Sequence, residues 1–199
     1  MRPRCSVFIA TSLDGFIARR DGGIDWLSAV ETPGEDYGYA RFFADVDALF
    51  LGRRTYETAL GFGAWPYGDK RCVVFTHAAR ESRHGERFHA GPPGPLLDEL
   101  QAAGVRRIYV DGGALIRSFL RKGLIDDVTL SIIPVLLGDG IPLFVDSGTL
   151  RGFPNPPAMV RGEQSSPAPH ASVPERRVRL AGSQAFPSGL VQLRYELAA

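Results

Sequence analysis

Apolar residues occur along this chain in short runs that alternate with amphipathic segments. Buried strands are predicted at residues 6–10, 47–51, 71–76, 86–89, 106–110 and 127–135. Helical periodicity lies between them, at residues 53–60, 95–103 and 112–122. A further helix is predicted to start at Pro33-Gly34-Glu35-Asp36 and to continue through Phe42 and Phe43, since acidic residues favour a helix N-terminus. This alternation of strands and helices predicts an α/β sheet with parallel pairs.

Two stretches interrupt the pattern. Residues 11–23 are predicted to form a loop, because Asp14-Gly15 and Asp21-Gly22-Gly23 are turn signals. Residues 151–177 contain six prolines and little apolar periodicity. Strands at 178–184 and 190–197 follow, joined by a hairpin-like connection. We therefore expect one domain, residues 1–199, with a proline-rich inserted loop at about 152–177.

The composition narrows the class of protein. Of the 199 residues, 44% are hydrophobic and 23% are charged, and the net charge is +1, so a nucleic-acid or membrane-surface role is not expected. The first apolar run is too short for a signal peptide or a membrane span. Cys5, Cys72 and the four histidines show no metal-ligand spacing. These features predict a cytoplasmic protein with buried, reduced thiols and no metal site.

One candidate binding site follows the strand at residues 47–51. Gly52, Arg53, Arg54 and Thr55 stand where this strand gives way to a helix. Backbone N–H groups, a hydroxyl and two guanidinium groups at such a junction suit a phosphate group. The alternative is a strand–helix turn that carries two solvated arginines.

A second junction of the same kind follows the strand at residues 106–110. Gly112 and Gly113 open the next helix, and the missing Cβ atoms allow another group to approach the backbone. The alternative is a tight turn that needs a positive φ. Together the two junctions could hold the phosphates of an extended nucleotide. Thr76 and His77 end another strand at a similar topological position.

An ordered set of motifs resembles a known family. The motifs are Ser12-Leu13-Asp14-Gly15-Phe16-Ile17-Ala18, Gly52-Arg53-Arg54-Thr55-Tyr56-Glu57, Val110-Asp111-Gly112-Gly113, Leu124-Ile125-Asp126-Asp127, Pro134-Val135-Leu136-Leu137-Gly138 and Ser188-Gly189-Leu190-Val191. The chain resembles the dihydrofolate reductase superfamily, in the branch of the C-terminal reductase domain of the bacterial riboflavin-biosynthesis deaminase-reductase. The resemblance covers residues 5–150 and 178–197, and the proline-rich stretch departs from it.

The resemblance implies a fold and a cofactor. The fold would be a three-layer α/β/α domain, with a mixed, mostly parallel sheet of about eight strands and a C-terminal antiparallel hairpin. The cofactor would be NADPH, and the preference over NADH would fall to Arg53 or Arg54, because a guanidinium pairs well with the 2′-phosphate. The implied cofactor-binding residues are Ala10, Ile17, Gly52, Arg53, Arg54, Thr55, Thr76, His77, Gly112, Gly113, Ala114 and Leu115.

The substrate-side residues are less constrained. In dihydrofolate reductases a carboxylate early on the helix before this junction contacts the pterin. Asp36, on the predicted first turn, matches it, although Asp36 could instead stabilise the helix dipole and Glu35 could serve equally. Asp25 could face the substrate or cap a short helix. Trp26 and Phe42 could stack on a flat ring or belong to the core.

The resemblance predicts an enzyme. NADPH would give a hydride to a C=N or C=O bond of a small heterocycle, either pterin-like or folate-like, or a ribosylaminopyrimidine. The second class needs a site for the substrate's own phosphate, for which Arg19, Arg20 and Arg41 are candidates without a distinguishing pattern. The alternative is a non-catalytic NADPH-binding sensor or assembly module of the same fold. A homodimer that uses the C-terminal strands is expected.

Overall fold

A computed structural model describes residues 2–78, 81–145 and 173–197, which form ten strands and four α-helices. The strands are β1 (Arg4–Ser12), β2 (Phe16–Ala18), β3 (Ala48–Gly52), β4 (Arg71–Phe75), β5 (Arg87–His89), β6 (Arg107–Asp111), β7 (Asp127–Ile133), β8 (Ile141–Pro142), β9 (Val178–Ala185) and β10 (Val191–Leu197). The helices are α1 (Tyr39–Ala44), α2 (Arg53–Leu60), α3 (Pro93–Ala102) and α4 (Gly113–Arg121), and a 3-10 helix spans Asp25–Val30.

Eight strands form the central sheet, in the order β5-β4-β3-β6-β1-β7-β10-β9. All neighbours from β5 to β7 are parallel. The two C-terminal strands add an antiparallel hairpin, because β10 pairs with both β7 and β9. The sequence-based prediction of a mostly parallel sheet of about eight strands with a C-terminal hairpin is confirmed.

The sheet has a hydrophobic core on each face, which explains its uninterrupted apolar strands. In β3, Ala48 and Phe50 pack on one side with residues of α3 and α4. Leu49 and Leu51 pack on the other side with Phe42 of α1 and with residues of α2. Successive side chains of a strand point to opposite faces, so this division shows a three-layer arrangement with helices on both faces.

Helix α1 starts later than the sequence predicted. The expected start at Pro33–Asp36 is wrong, because α1 begins at Tyr39 after Gly38, whose φ is +80°. The Asp36 carboxylate accepts hydrogen bonds from the N–H groups of Gly38 and Ala40, both at 2.8 Å. Asp36 therefore precedes the helix and binds its first turn from outside.

The predicted loop at residues 11–23 contains regular structure. Strand β1 continues to Ser12, and β2 pairs with β8 in a separate two-stranded sheet. The turn between β1 and β2 is held by Asp14, which accepts hydrogen bonds from the Ser12 hydroxyl and from the N–H groups of Leu137 and Gly138. A two-residue strand such as β8 has too few positions to show a period in the sequence.

Strand β7 is shorter than predicted, because it ends at Ile133, just before Pro134, whose nitrogen carries no hydrogen to donate. It lies inside the sheet, between β1 and β10. Most of the proline-rich stretch lies outside the described residues. Its described end, residues 173–177, forms no helix or strand, and Val173 packs against the core.

Cys5 and Cys72 are buried free thiols, as predicted. Burial raises the pKa of each thiol to about 12, which keeps the sulfur protonated and unreactive. In the part of the chain that the structure describes, no helix is long and apolar enough to cross a membrane.

Candidate functional site

A cleft of about 1190 Å³ opens at the carboxyl ends of β3, β4 and β6; we call it the large cleft. Parallel α/β sheets commonly bind ligands at this edge, where successive strand–helix junctions meet. All the residues predicted to bind the cofactor line it. They are Ala10, Ile17, Gly52, Arg53, Arg54, Thr55, Thr76, His77, Gly112, Gly113, Ala114 and Leu115.

The two glycine-bearing junctions pack against each other at the base of the cleft. A Cβ atom on Gly112 would lie 2.6 Å from the Thr55 hydroxyl oxygen and 3.3 Å from the Gly52 Cα. Gly112 also has a φ of +109°, which residues with a Cβ rarely adopt. The tight-turn explanation therefore accounts for Gly112. It does not exclude a ligand, because the same turn places a helix N-terminus at the cleft.

Helices α2 and α4 both begin at these two junctions. Their N-cap residues are Gly52 and Gly112, and neither helix start has a side-chain cap. The first N–H groups of a helix lack partners within the helix and carry a partial positive charge. Two such termini side by side are suited to an extended anion such as a pyrophosphate.

Basic side chains surround the two termini. Arg53 and Arg54 are exposed, and an Arg53 guanidinium nitrogen lies 3.9 Å from a carboxylate oxygen of Glu57. Thr76 uses its hydroxyl oxygen to accept a hydrogen bond from the Ala78 N–H at 3.1 Å, and His77 beside it is exposed. This side of the cleft can therefore hold a further phosphate through guanidinium and imidazole groups.

A half-buried carboxylate, Asp111, stands directly before the Gly112–Gly113 junction. It ends β6 and lines the large cleft. Burial raises the pKa of Asp111 to about 6, although a hydrogen bond from the Gly112 N–H and the nearby Tyr109 side chain favour the ionised form. Asp111 can therefore carry a proton near neutral pH. The sequence reasoning did not select it, although an acid that directly follows an apolar strand and precedes two glycines was a usable signal.

Tyrosines line the cleft beside Asp111. Burial, with a smaller effect of the Asp111 charge, raises the pKa of Tyr39 to about 12 and that of Tyr67 further. The Tyr109 hydroxyl donates a hydrogen bond to the Phe8 carbonyl oxygen at 2.9 Å. These phenols stay neutral at physiological pH and offer flat apolar faces with polar edges.

A second cavity of about 430 Å³ adjoins the large cleft; we call it the small chamber. Both cavities are lined by Phe8, Ile9, Ala10, Leu27, Tyr39 and Tyr109. The small chamber is also lined by Glu31, Glu35 and Asp36. It therefore extends the cleft beyond Ala10, on the side away from the two helix termini.

The three predicted catalytic residues do not converge. Asp36 lines the small chamber, and its pKa is lowered by the N–H groups of Ala40 and Gly38. Asp25 lines neither cavity; it begins the 3-10 helix and forms an exposed ion pair with Arg19 at 2.7 Å, which lowers its pKa. Trp26 lines neither cavity and packs in the core with Val30. Phe42 is likewise a core residue.

No group of histidine, cysteine, aspartate and glutamate side chains within the described ranges could hold a metal ion.

Comparison with known proteins identifies the family of this chain. Residues 3–191 match the family model described as the RibD C-terminal domain. The chain belongs to the RibD C-terminal domain family. It is 40% identical over 148 residues to the Bacillus subtilis (strain 168) protein YwjB, which is uncharacterized; the match covers 72% of this chain and 84% of YwjB.

Solved structures of RibD-like proteins share the fold. A proposed riboflavin biosynthesis protein from Shewanella sp. PV-4 superposes with a TM-score of 0.78 and 31% identity, and the match covers 100% of both chains. A Thermotoga maritima diaminohydroxyphosphoribosylaminopyrimidine deaminase/5-amino-6-(5-phosphoribosylamino)uracil reductase gives a TM-score of 0.65 at 16% identity, over 99% of this chain and 57% of the other. The predicted resemblance to riboflavin-pathway reductases is confirmed.

Proposed function

We propose that this protein is an NADPH-dependent reductase that acts on a small heterocyclic substrate. The observation that carries the proposal is the convergence of two helix N-termini without side-chain caps and two arginines on a cleft that also contains a half-buried acid with a raised pKa. Membership of the RibD C-terminal domain family supports the same reaction class.

The large cleft suits an extended dinucleotide. The N-termini of α2 and α4 would hold the pyrophosphate, and Arg53, Arg54 and His77 would hold the 2′-phosphate that distinguishes NADPH from NADH. Ala10 and Ile17 would contact the nicotinamide end. Both line the cleft, and a Cβ on Gly113 would lie 2.5 Å from the Ile17 Cδ1. NADPH, when bound, supplies the hydride for a C=N or C=O bond.

Asp111 is our candidate for the proton source. A group with a pKa of about 6 exchanges a proton readily near neutral pH, which suits general acid catalysis. Tyr39 and Tyr109 line both cavities, so they would orient a ring that extends from the small chamber towards Asp111. Asp36 lines the small chamber, where its bonds to the Gly38 and Ala40 N–H groups would hold it in position beside a substrate.

The test is cofactor discrimination. NADPH should bind the unmodified protein more tightly than NADH, and the R53A/R54A variant should lose this preference. A charged hydrogen-bonding pair contributes about 1.5–3 kcal/mol, so the expected loss of NADPH affinity is roughly ten- to a hundredfold. R41A is the matched control, because Arg41 is exposed and lines neither cavity. Equal affinity for NADH and NADPH in the unmodified protein would refute the assignment.

A second candidate function is NADPH binding without turnover. It is favoured by the placement of Asp25 and Trp26 outside both cavities, which leaves Asp111 and Asp36 as the acids near a substrate. Incubation with NADPH and a panel of pterins, folates and ribosylaminopyrimidines, with cofactor absorbance as the readout, separates the two. Tight binding with no oxidation by any substrate would favour the non-catalytic role.

A further inference from the structure

The two connected cavities carry opposite charge. Of the described residues that line the large cleft, Arg53, Arg54, Arg117 and Lys122 are cationic, and Asp111 is the one carboxylate. The small chamber has Glu31, Glu35 and Asp36, and its described lining contains no lysine, arginine or histidine. Glu31, Glu35 and Asp36 are exposed, so water weakens the effect of their charges, but the sign of the charge still favours a phosphate in the large cleft over the small chamber.

The three arginines that the sequence offered for a substrate phosphate do not serve the small chamber. Arg19 pairs with Asp25, and Arg20 pairs with Asp139. Arg41 is exposed in α1 and is not part of the lining. None of these three arginines, the candidates for a substrate phosphate, lines either cavity.

Backbone N–H groups beside the small chamber already donate hydrogen bonds to carboxylates of the chain. Helix α1 starts next to the small chamber, but the Asp36 carboxylate accepts the hydrogen bonds of the Gly38 and Ala40 N–H groups. Glu35 accepts a hydrogen bond from the Tyr37 N–H at 2.8 Å. An incoming phosphate would therefore meet carboxylates where a helix start would otherwise offer N–H groups.

The remaining described lining is neutral and consists of aliphatic, aromatic and hydroxyl-bearing side chains. Phe8, Tyr39 and Tyr109 provide ring faces, and Ser28, Tyr37 and Ser131 provide hydroxyl groups. Such a surface suits a flat heterocycle that carries amino groups, because the carboxylates accept hydrogen bonds from them.

We infer that the small chamber selects an uncharged or cationic heterocycle that carries no phosphate, and so excludes the phosphorylated form of a ribosylaminopyrimidine. The inference rests on the proposed function, which places the substrate in this chamber. It separates this chain from the reaction named for the Thermotoga maritima relative, whose substrate is a phosphoribosylaminouracil.

A matched pair of ligands tests the inference. Protein loaded with NADP⁺, which prevents turnover, is titrated calorimetrically with 5-amino-6-(5-phosphoribosylamino)uracil and with the same compound after phosphatase treatment. We expect the dephosphorylated compound to bind about tenfold more tightly or better, because a phosphate carries a charge of nearly −2. Equal affinities, tighter binding of the phosphorylated compound, or binding of neither would overturn the inference.

Two double variants test whether the chamber carboxylates cause the preference for the dephosphorylated compound. E31Q/E35Q removes two charges and keeps an acceptor oxygen on residue 35, so the preference should shrink at least about threefold. D69N/D98N removes two exposed carboxylates outside both linings, and its preference should match that of the unmodified protein. An unchanged preference in E31Q/E35Q would contradict the role of the chamber charges.

The cofactor is titrated separately, so that the two proposals can fail separately. Absence of NADP⁺ and NADPH binding would refute the proposed function. The ligand pair would then be titrated against the protein without cofactor, where the same preference is expected and its absence would overturn the inference.

Discussion

At the scale of single residues, Asp111 combines burial with an ionisable group. Burial raises its pKa from 3.8 to about 6, so the folded protein keeps the proton over a range in which the unfolded chain has lost it. Protons bound in the folded state stabilise it, so the free energy of unfolding falls as pH rises from 3.8 to about 6. Asp111 therefore destabilises the fold at neutral pH, as functional groups often do.

D111N should remove this pH dependence. Compared with the unmodified protein, the variant should gain on the order of 3 kcal/mol in unfolding free energy between pH 3.5 and pH 8, because about two pKa units are involved. Denaturant unfolding at both pH values measures the gain. D98N changes an exposed acid and should show no comparable gain.

If Asp111 is also the proton donor, turnover by D111N should fall roughly a hundredfold or more while NADPH affinity is kept.

Gly112 shows how one missing side chain determines a junction. G112A should lower the free energy of unfolding by about 1–3 kcal/mol, because φ is +109° and the new Cβ would lie 2.6 Å from the Thr55 hydroxyl oxygen. Thermal unfolding without cofactor measures the loss. G94A is the control, since Gly94 lies in α3 with nothing within 4 Å of its Cβ position. Unchanged stability in G112A would show that the turn adapts.

At the scale of elements, the connection between β4 and β5 is fastened to α2 through Glu86. Its carboxylate is buried and accepts hydrogen bonds from the Tyr56 hydroxyl, the Ser82 hydroxyl and the N–H groups of Arg83 and His84. Burial alone would raise its pKa, but these hydrogen bonds lower it to about 2. The contact holds residues 82–86 against α2.

Stabilisation by Glu86 should depend on pH in the sense opposite to Asp111. The contribution is present above pH 4.5 and is lost as pH falls towards 2, because the folded state resists protonation. E86Q should therefore cost about 1–3 kcal/mol of unfolding free energy at pH 7 and less at pH 3. E99Q, at an exposed surface ion pair with Arg87, should cost under about 1 kcal/mol. A loss in E86Q that is the same at both pH values would contradict the role of its charge.

At the scale of the whole molecule, the sheet ends in an exposed apolar edge. Val178 and Leu180 of β9 are 46% and 52% exposed, and Val191 of β10 is 37% exposed. β9 is an edge strand of the central sheet, so its outer N–H and C=O groups are open to another strand. Strand β7, between β1 and β10, is internal and offers no such edge.

We expect a homodimer that buries this edge. L180E should shift the protein to monomer in light scattering at micromolar concentration, because it places a charge in an apolar contact. L136E is the control, since Leu136 is 70% exposed and lies outside the C-terminal strands. A monomer in the unmodified protein would refute the dimer.

The sequence by itself determined most of the elements and the two junctions that we propose bind the cofactor. Helix α2 is predicted at its observed bounds, and the parallel strands differ by a few residues at most, because local apolar periodicity and terminal glycines set them. The two glycine junctions were visible because each is a continuous stretch of chain. Their common place in one cleft followed from the rule that parallel strands end at the same edge.

Only the tertiary structure decided the features that depend on contacts between residues far apart in the sequence. The start of α1 depended on the bonds that Asp36 makes, and the β2–β8 pair joins segments more than a hundred residues apart. The raised pKa of Asp111 comes from burial by chain that is remote in sequence. The opposite charges of the two cavities arise in the same way, because a cavity is formed by several elements and no single stretch of sequence contains it.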